Sequence, residues 1–155
     1  MRRSIPLFLL ALLIIGCSED SPVNVLTDSM SATVKGASWT AIIASSLTTG
    51  GITTVSGTRS ITSTDDLIAI ELKGVTGTGT FQLGSANTAS AQYKKDSIIY
   101  VTTVLSLVPT GQVVLTQFGA GRVVGTFNFT AYRNGDPTSG DSVVVVNGSF
   151  NVKQN

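Results

Sequence analysis

The sequence predicts an all-β protein: one small antiparallel meander, closed as a barrel or folded as a two-sheet sandwich, behind an N-terminal signal helix. Three observations carry this. Apolar side chains recur at every second position in short runs, the period of a half-buried strand. Turn residues (Gly, Asn, Asp, Pro) separate the runs, and no helical period of ten residues is sustained after Cys17. Charged residues make up only 12% of the chain, and Thr, Ser, Val and Gly take their place, a mixture that favours strands and turns over helices.

The signal helix is the first element. Met1-Arg2-Arg3 precedes an apolar run from Leu7 to Ile15. A basic start, a short apolar run and a small residue before the cut form a secretory signal. The run is too short to span a bilayer as a helix, which takes roughly 20 residues. Ile14-Ile15-Gly16-Cys17 looks like a bacterial lipobox, with cleavage expected between Gly16 and Cys17. The Cys17 thiol would take a diacylglyceryl group and its freed amino group a further palmitate-type chain. Gly16 leaves room for a peptidase beside the lipid. Buried acyl chains contribute about 0.8 kcal/mol per methylene, and two or more make the anchor stable. Cys17 is the only cysteine, so an ordinary secretory signal would leave an exported thiol without a partner. The expected organisation is a signal peptide over 1–16, a lipidated cysteine and tether over 17–29, and an all-β domain over 30–155.

The tether carries an address. Ser18, Glu19 and Asp20 follow the cysteine directly. Ser18 stands where an aspartate would mark inner-membrane retention in many Gram-negative bacteria. Glu19 and Asp20 resemble the acidic export signal of surface lipoproteins in Bacteroidetes-type bacteria. The expected location is the outer membrane, lipid-anchored and facing the cell surface.

The strands follow in order. Met30, Ala32 and Val34 share one face, and Lys35-Gly36-Ala37-Ser38 turns. Trp39, Ala41 and Ile43 are expected on one face of a second strand, with Trp39 as core rather than ligand platform. Ile52 to Arg59 is a hydroxyl-rich strand, and Ile68, Ile70 and Leu72 alternate in the next. Phe81 and Leu83, then Ala89, Ala91 and Tyr93, then Ser97 to Val104 and Gln112 to Phe118 continue the pattern. After the turn Gly119-Ala120-Gly121-Arg122 comes the longest strand, with Val123, Gly125, Phe127, Phe129 and Ala131 on one face. The last strand is expected to bury Val144, Val146, Gly148, Phe150 and Val152, and to pair antiparallel with it.

Little in this pattern carries chemistry. The chain has no histidine, so neither a Ser-His-Asp nor a Cys-His nucleophile system can be built. Histidine-ligated zinc is excluded too, and no cofactor is expected. Asp65, Asp66 and Glu71 form the one tempting carboxylate group, and a glycosidase needs two carboxyls flanking one bond. The plainer reading is a turn for the aspartates and a solvated Glu71 paired with Lys73. Gly74 to Gly79 is glycine-rich but lacks the Gly-Lys-Ser/Thr of a phosphate loop. Lys94 and Lys95 read as a solvated turn. Asn134, Asp136 and Asp141 offer oxygen ligands for calcium, but at no EF-hand spacing, so an ordinary polar loop is expected. Asn128-Phe129-Thr130 and Asn147-Gly148-Ser149 match glycosylation acceptors, by coincidence within strands. Net charge is +1 for the whole chain and falls slightly below zero without Arg2 and Arg3. That gives no basic field for nucleic acid.

Lys35-Gly36-Ala37-Ser38-Trp39-Thr40-Ala41, Gly125-Thr126-Phe127-Asn128-Phe129-Thr130-Ala131 and Asn147-Gly148-Ser149-Phe150, in this order behind a lipobox, resemble a family of uncharacterised Bacteroidetes-type lipoproteins. The resemblance spans Met30 to Val152 and implies a small all-β domain on a lipid anchor, with no catalytic residue to carry over. The function expected is a non-catalytic binding or structural module, held to the membrane by lipid on Cys17, with a protein, a glycan or a small molecule as partner. Two alternatives stand beside it: a small carboxylate-dependent hydrolase, and a β-barrel carrier of a small apolar ligand.

Overall fold

The computed structural model describes residues 27–61, 66–84, 87–103 and 110–155. The signal segment, Gly16, Cys17, Ser18, Glu19, Asp20 and the loop aspartate Asp65 lie outside the described residues.

Eleven strands form one sheet: β1 (Ser29–Val34), β2 (Ala37–Thr40), β3 (Ile43–Thr49), β4 (Ile52–Thr58), β5 (Asp66–Lys73), β6 (Gly79–Leu83), β7 (Ala89–Lys95), β8 (Ile98–Val101), β9 (Gly111–Gly119), β10 (Arg122–Arg133) and β11 (Ser142–Lys153). The single helical piece among the described residues is a 3₁₀ turn, Pro137–Ser139. The sheet runs β2-β1-β11-β10-β9-β6-β7-β5-β4-β3, and β8 bridges β10 and β7. β10, β9, β6, β7 and β8 thereby close a five-strand barrel, and the remaining strands extend it on both sides. The order is not sequential, because β6 inserts between β9 and β7. It pairs antiparallel with β9 and meets β7 in one parallel contact, Leu83 with Ala89. The two outer margins approach each other: Ser46 Oγ on β3 donates to the Lys153 carbonyl at 2.7 Å, and the Thr48 amide to the Asn155 carbonyl at 3.1 Å.

Period-two alternation does most of the building. On β10 the inward Val123, Gly125, Phe127, Phe129 and Ala131 are all buried. Met30, Ala32 and Val34, then Ile68, Ile70 and Leu72, then Ala89, Ala91 and Tyr93 join them in one continuous core, with Trp39 1% exposed at its edge. Two-residue turns connect the hairpins where the sequence places residues that accept positive φ: Lys35-Gly36 at +49° and +81°, and Ala120-Gly121 at +52° and +80°. Such turns match the twist of the flanking strands.

Two expectations about faces are corrected. Val144 and Val146 point outward, at 49% and 38% exposure, while Val143 and Val145 fill the core. The cause is a β-bulge. Phe127 pairs with Gly148 but Phe129 pairs with Val145, so Val146 and Asn147 together face Asn128. The extra residue inverts the alternation upstream of it, with Asn147 in the left-handed region at φ +52°. Ile43, expected beside Trp39, starts the separate strand β3 and is 49% exposed, because β2 ends at Thr40 and the chain turns a corner at Ala41 and Ile42.

Candidate functional site

Asp66 and Glu71, the two described members of the carboxylate group singled out in the sequence, do not come together. Asp66 and Glu71 stand an odd number of positions apart on β5, so they project to opposite faces. Asp66 faces inward, accepts a 2.8 Å hydrogen bond from Trp39 Nε1, and lies 3.2 Å from Lys95 Nζ and 3.7 Å from Arg59 Nη1. Glu71 is exposed and accepts a long 3.4 Å bond from Ser90 Oγ, rather than pairing with Lys73.

Two of the three loop residues considered for calcium, Asp136 and Asp141, have their carboxylates engaged within the protein. Asp136 caps the 3₁₀ turn, accepting from the Thr138 amide at 2.8 Å and the Thr138 hydroxyl at 2.6 Å. Those bonds hold its carboxyl below the usual range, the hydroxyl contributing most. Asp141 receives the Tyr100 hydroxyl at 3.2 Å and lies 3.7 Å from Arg133 Nη1. No group of three or more acidic, histidine or cysteine side chains that could hold a metal occurs among the described residues.

Two buried tyrosines line this end of the barrel. Tyr93 and Tyr100 stack with ring centroids 6.2 Å apart, and Lys35 Nζ sits 5.3 Å from the Tyr100 ring centre. Burial, and after it the Asp66 charge, pushes the Tyr93 phenol up to about 12. Burial and the bond to Asp141 raise Tyr100 as well. Both are held as neutral phenols, suited to packing and not to proton transfer near neutrality.

A different feature collects unused hydrogen-bonding capacity. On the outer face of the barrel, register sets Gln82 beside Gln112 and Gln112 beside Asn128. Asn147, just before Gly148, lies across from Asn128 and shares that position with Val146 in the bulge. Four carboxamides thus occupy consecutive positions on β6, β9, β10 and β11. With strands about 4.8 Å apart, the row spans roughly 14 Å. None of the four makes a side-chain hydrogen bond among the described residues. Gln112, Asn128, Asn147, Thr126 and Ser149 line an open groove of about 350 Å³, and no ionisable residue among those described borders it. Phe127 and Gly148 also line the groove, and the Phe127 ring stands where a Gly148 Cβ would be.

Sequence reasoning singled out Asn128 and Asn147 only as coincidental glycosylation acceptors. It missed the row, because Gln82 and Gln112 are neighbours through the β6–β9 pairing, which no local pattern announces. The motifs behind the family resemblance have a structural explanation. Gly125 lies opposite Phe150 and Gly148 opposite Phe127, so each ring fills the space a Cβ would need. Trp39 seals the core, and Ala41 lies against Gly57. These residues build the fold that presents the groove.

No curated protein and no solved structure matches the chain. A family model does, over residues 27–152, which takes in all the described strands but the last residue of β11. The chain belongs to the family of that domain, a domain of unknown function (DUF6252).

Proposed function

We propose that the chain is a lipid-anchored envelope protein, carried at the outer membrane through Cys17 and facing the cell surface, whose β domain is a non-catalytic binding module. The anchor reading is supported by the order Ile14-Ile15-Gly16-Cys17 behind a basic, apolar start, with no second cysteine to claim the thiol. The observation that carries the binding reading is the row of four carboxamides, which make no side-chain hydrogen bond among the described residues, beside a groove that no described ionisable residue borders. Hydrolysis by Asp66 and Glu71 is disfavoured by their opposite directions. Carriage of an apolar ligand is disfavoured by the side chains packed inside the ring, among them Phe127, Phe129, Leu115 and Tyr93.

Metabolic labelling with a fatty-acid analogue tests the anchor. Wild-type protein is expected to take the label and Cys17→Ser to lose it. Equal labelling of the two would end the lipoprotein reading.

A further inference from the structure

We propose that the carboxamide row Gln82–Gln112–Asn128–Asn147 is a binding site for a neutral glycan chain lying across the strands. This rests on the binding-module reading above and names its ligand class.

The chemistry of the groove selects the ligand. A carboxamide offers two donors and one acceptor with two lone pairs, which matches adjacent sugar hydroxyls that both give and accept. Thr126 and Ser149 add hydroxyls of the same dual character along the groove. The spacing of successive strands, about 4.8 Å, is close to the length of one pyranose unit in an extended glycan, so successive amides meet successive sugars.

Charge decides against other partners. Nucleic acid and acidic polymers require cations, and none borders the groove. The cations along these strands stand at the strand ends: Arg122, 3.0 Å from Asp28, Arg133, 3.7 Å from Asp141, and Lys153 in register with Arg122. A neutral ligand leaves no buried charge unmatched on either side.

The register fits the row. Gly148 faces Phe127, so alternation turns the residue before it outward beside Asn128. The bulge adds Val146 to that stretch, with Asn147 in a left-handed conformation that asparagine tolerates better than most.

The test is isothermal titration of the detergent-solubilised full chain with cellohexaose, mannohexaose and laminarihexaose, and with hexagalacturonate as the acidic counterpart. At least one neutral hexasaccharide is expected to bind, and hexagalacturonate to bind more weakly or not at all. The double variant Gln112→Ala with Asn128→Ala should weaken that binding about tenfold or more, since each neutral hydrogen bond lost is worth severalfold. Its melting curve should match wild type, because both side chains face solvent. Gln82→Ala, at the far end of the row, is the second variant should the double one melt lower. Asn147 is left intact, because its backbone disfavours alanine. The proposal is overturned if no neutral hexasaccharide binds at millimolar concentration, if the folded variants bind as wild type does, or if hexagalacturonate binds best. Binding is read on isolated protein and acylation in cells, so either reading can fail alone.

Discussion

Asp66 shows how much one side chain can organise. Its carboxylate accepts from Trp39 Nε1 at 2.8 Å and meets Lys95 Nζ at 3.2 Å. The two contacts are unequal. The lysine side chain is 51% exposed, so that ion pair is screened and contributes little. Trp39 is 1% exposed, and its indole N–H, deprived of an acceptor, would bear a desolvation cost of about 1–3 kcal/mol. Asp66→Ala is therefore expected to destabilise the domain by about that amount, whereas Asp66→Asn keeps an acceptor and should cost less. Chemical denaturation followed by the fluorescence of Trp39, the one tryptophan, measures both, and equal losses would refute the division. Tyr93 supplies an independent check. Its folded pKa of about 12 lies above the unfolded value of about 10, so the neutral phenol stabilises the fold fully below pH ~10. That contribution is lost as pH rises from ~10 through ~12. Stability should fall in that alkaline window, and Asp66→Asn should move Tyr93 ionisation only part of the way down, because burial is the larger cause and remains. Tyrosinate absorbance across the titration reads this directly.

At the scale of elements, β10 and β11 form an interlock of glycine and phenylalanine. Gly125 faces Phe150 and Phe127 faces Gly148, and Phe127 stacks on Phe129 and Phe150 with centroids 6.1 Å away in each case. A Cβ added at Gly125 would stand 2.5 Å from the Val114 carbonyl oxygen and 2.8 Å from Phe150 Cζ, so Gly125→Ala should cost about 1–3 kcal/mol through overpacking. Phe127→Ala removes the ring instead and should cost about 3–5 kcal/mol, a large share of the 5–15 kcal/mol typical of a domain. Thermal melts of the two variants test this, and an unchanged midpoint for either would mean that the rings do not occupy the glycine gaps. The same pair of strands shows where a sequence stops being legible. The inward face of β10 could be read from Val123 to Ala131, because nothing interrupts the alternation. On β11 the reading held for Gly148, Phe150 and Val152 and failed for Val144 and Val146. One inserted residue separates the two halves, and Val-Val-Val-Val looks the same in either phase. Asn147-Gly148 was the available signal, since asparagine before glycine accepts the left-handed turn of a bulge. The groove escaped for a related reason: its members come from four strands, and only the β6–β9 pairing brings Gln82 into line.

For the whole molecule, the question is which way the domain faces. The fold begins at a fixed point: Asp28 Oδ1 accepts from the Lys153 amide at 2.8 Å and from Arg122 Nη2 at 3.0 Å, fastening the start of β1 to the end of β11. Ser18, Glu19 and Asp20 lie upstream of this clasp in the sequence, outside the described residues. Membrane affinity does not explain the two carboxylates, since anionic lipids attract basic segments. On the proposed lipid anchor at Cys17, the charge pair directly behind it is read as an export label, and the groove would then meet extracellular ligands. The prediction is tested on intact cells of the native host treated with a protease that cannot enter. Wild-type protein should be clipped, and Glu19→Ala with Asp20→Ala should be anchored equally well yet protected. Cleavage of both to the same degree would remove the export role from this pair. Closed barrels resist proteolysis, so antibody staining of the same cells must accompany the digestion. Absence of staining in wild-type cells, with control surface proteins stained, would place the domain on the periplasmic side.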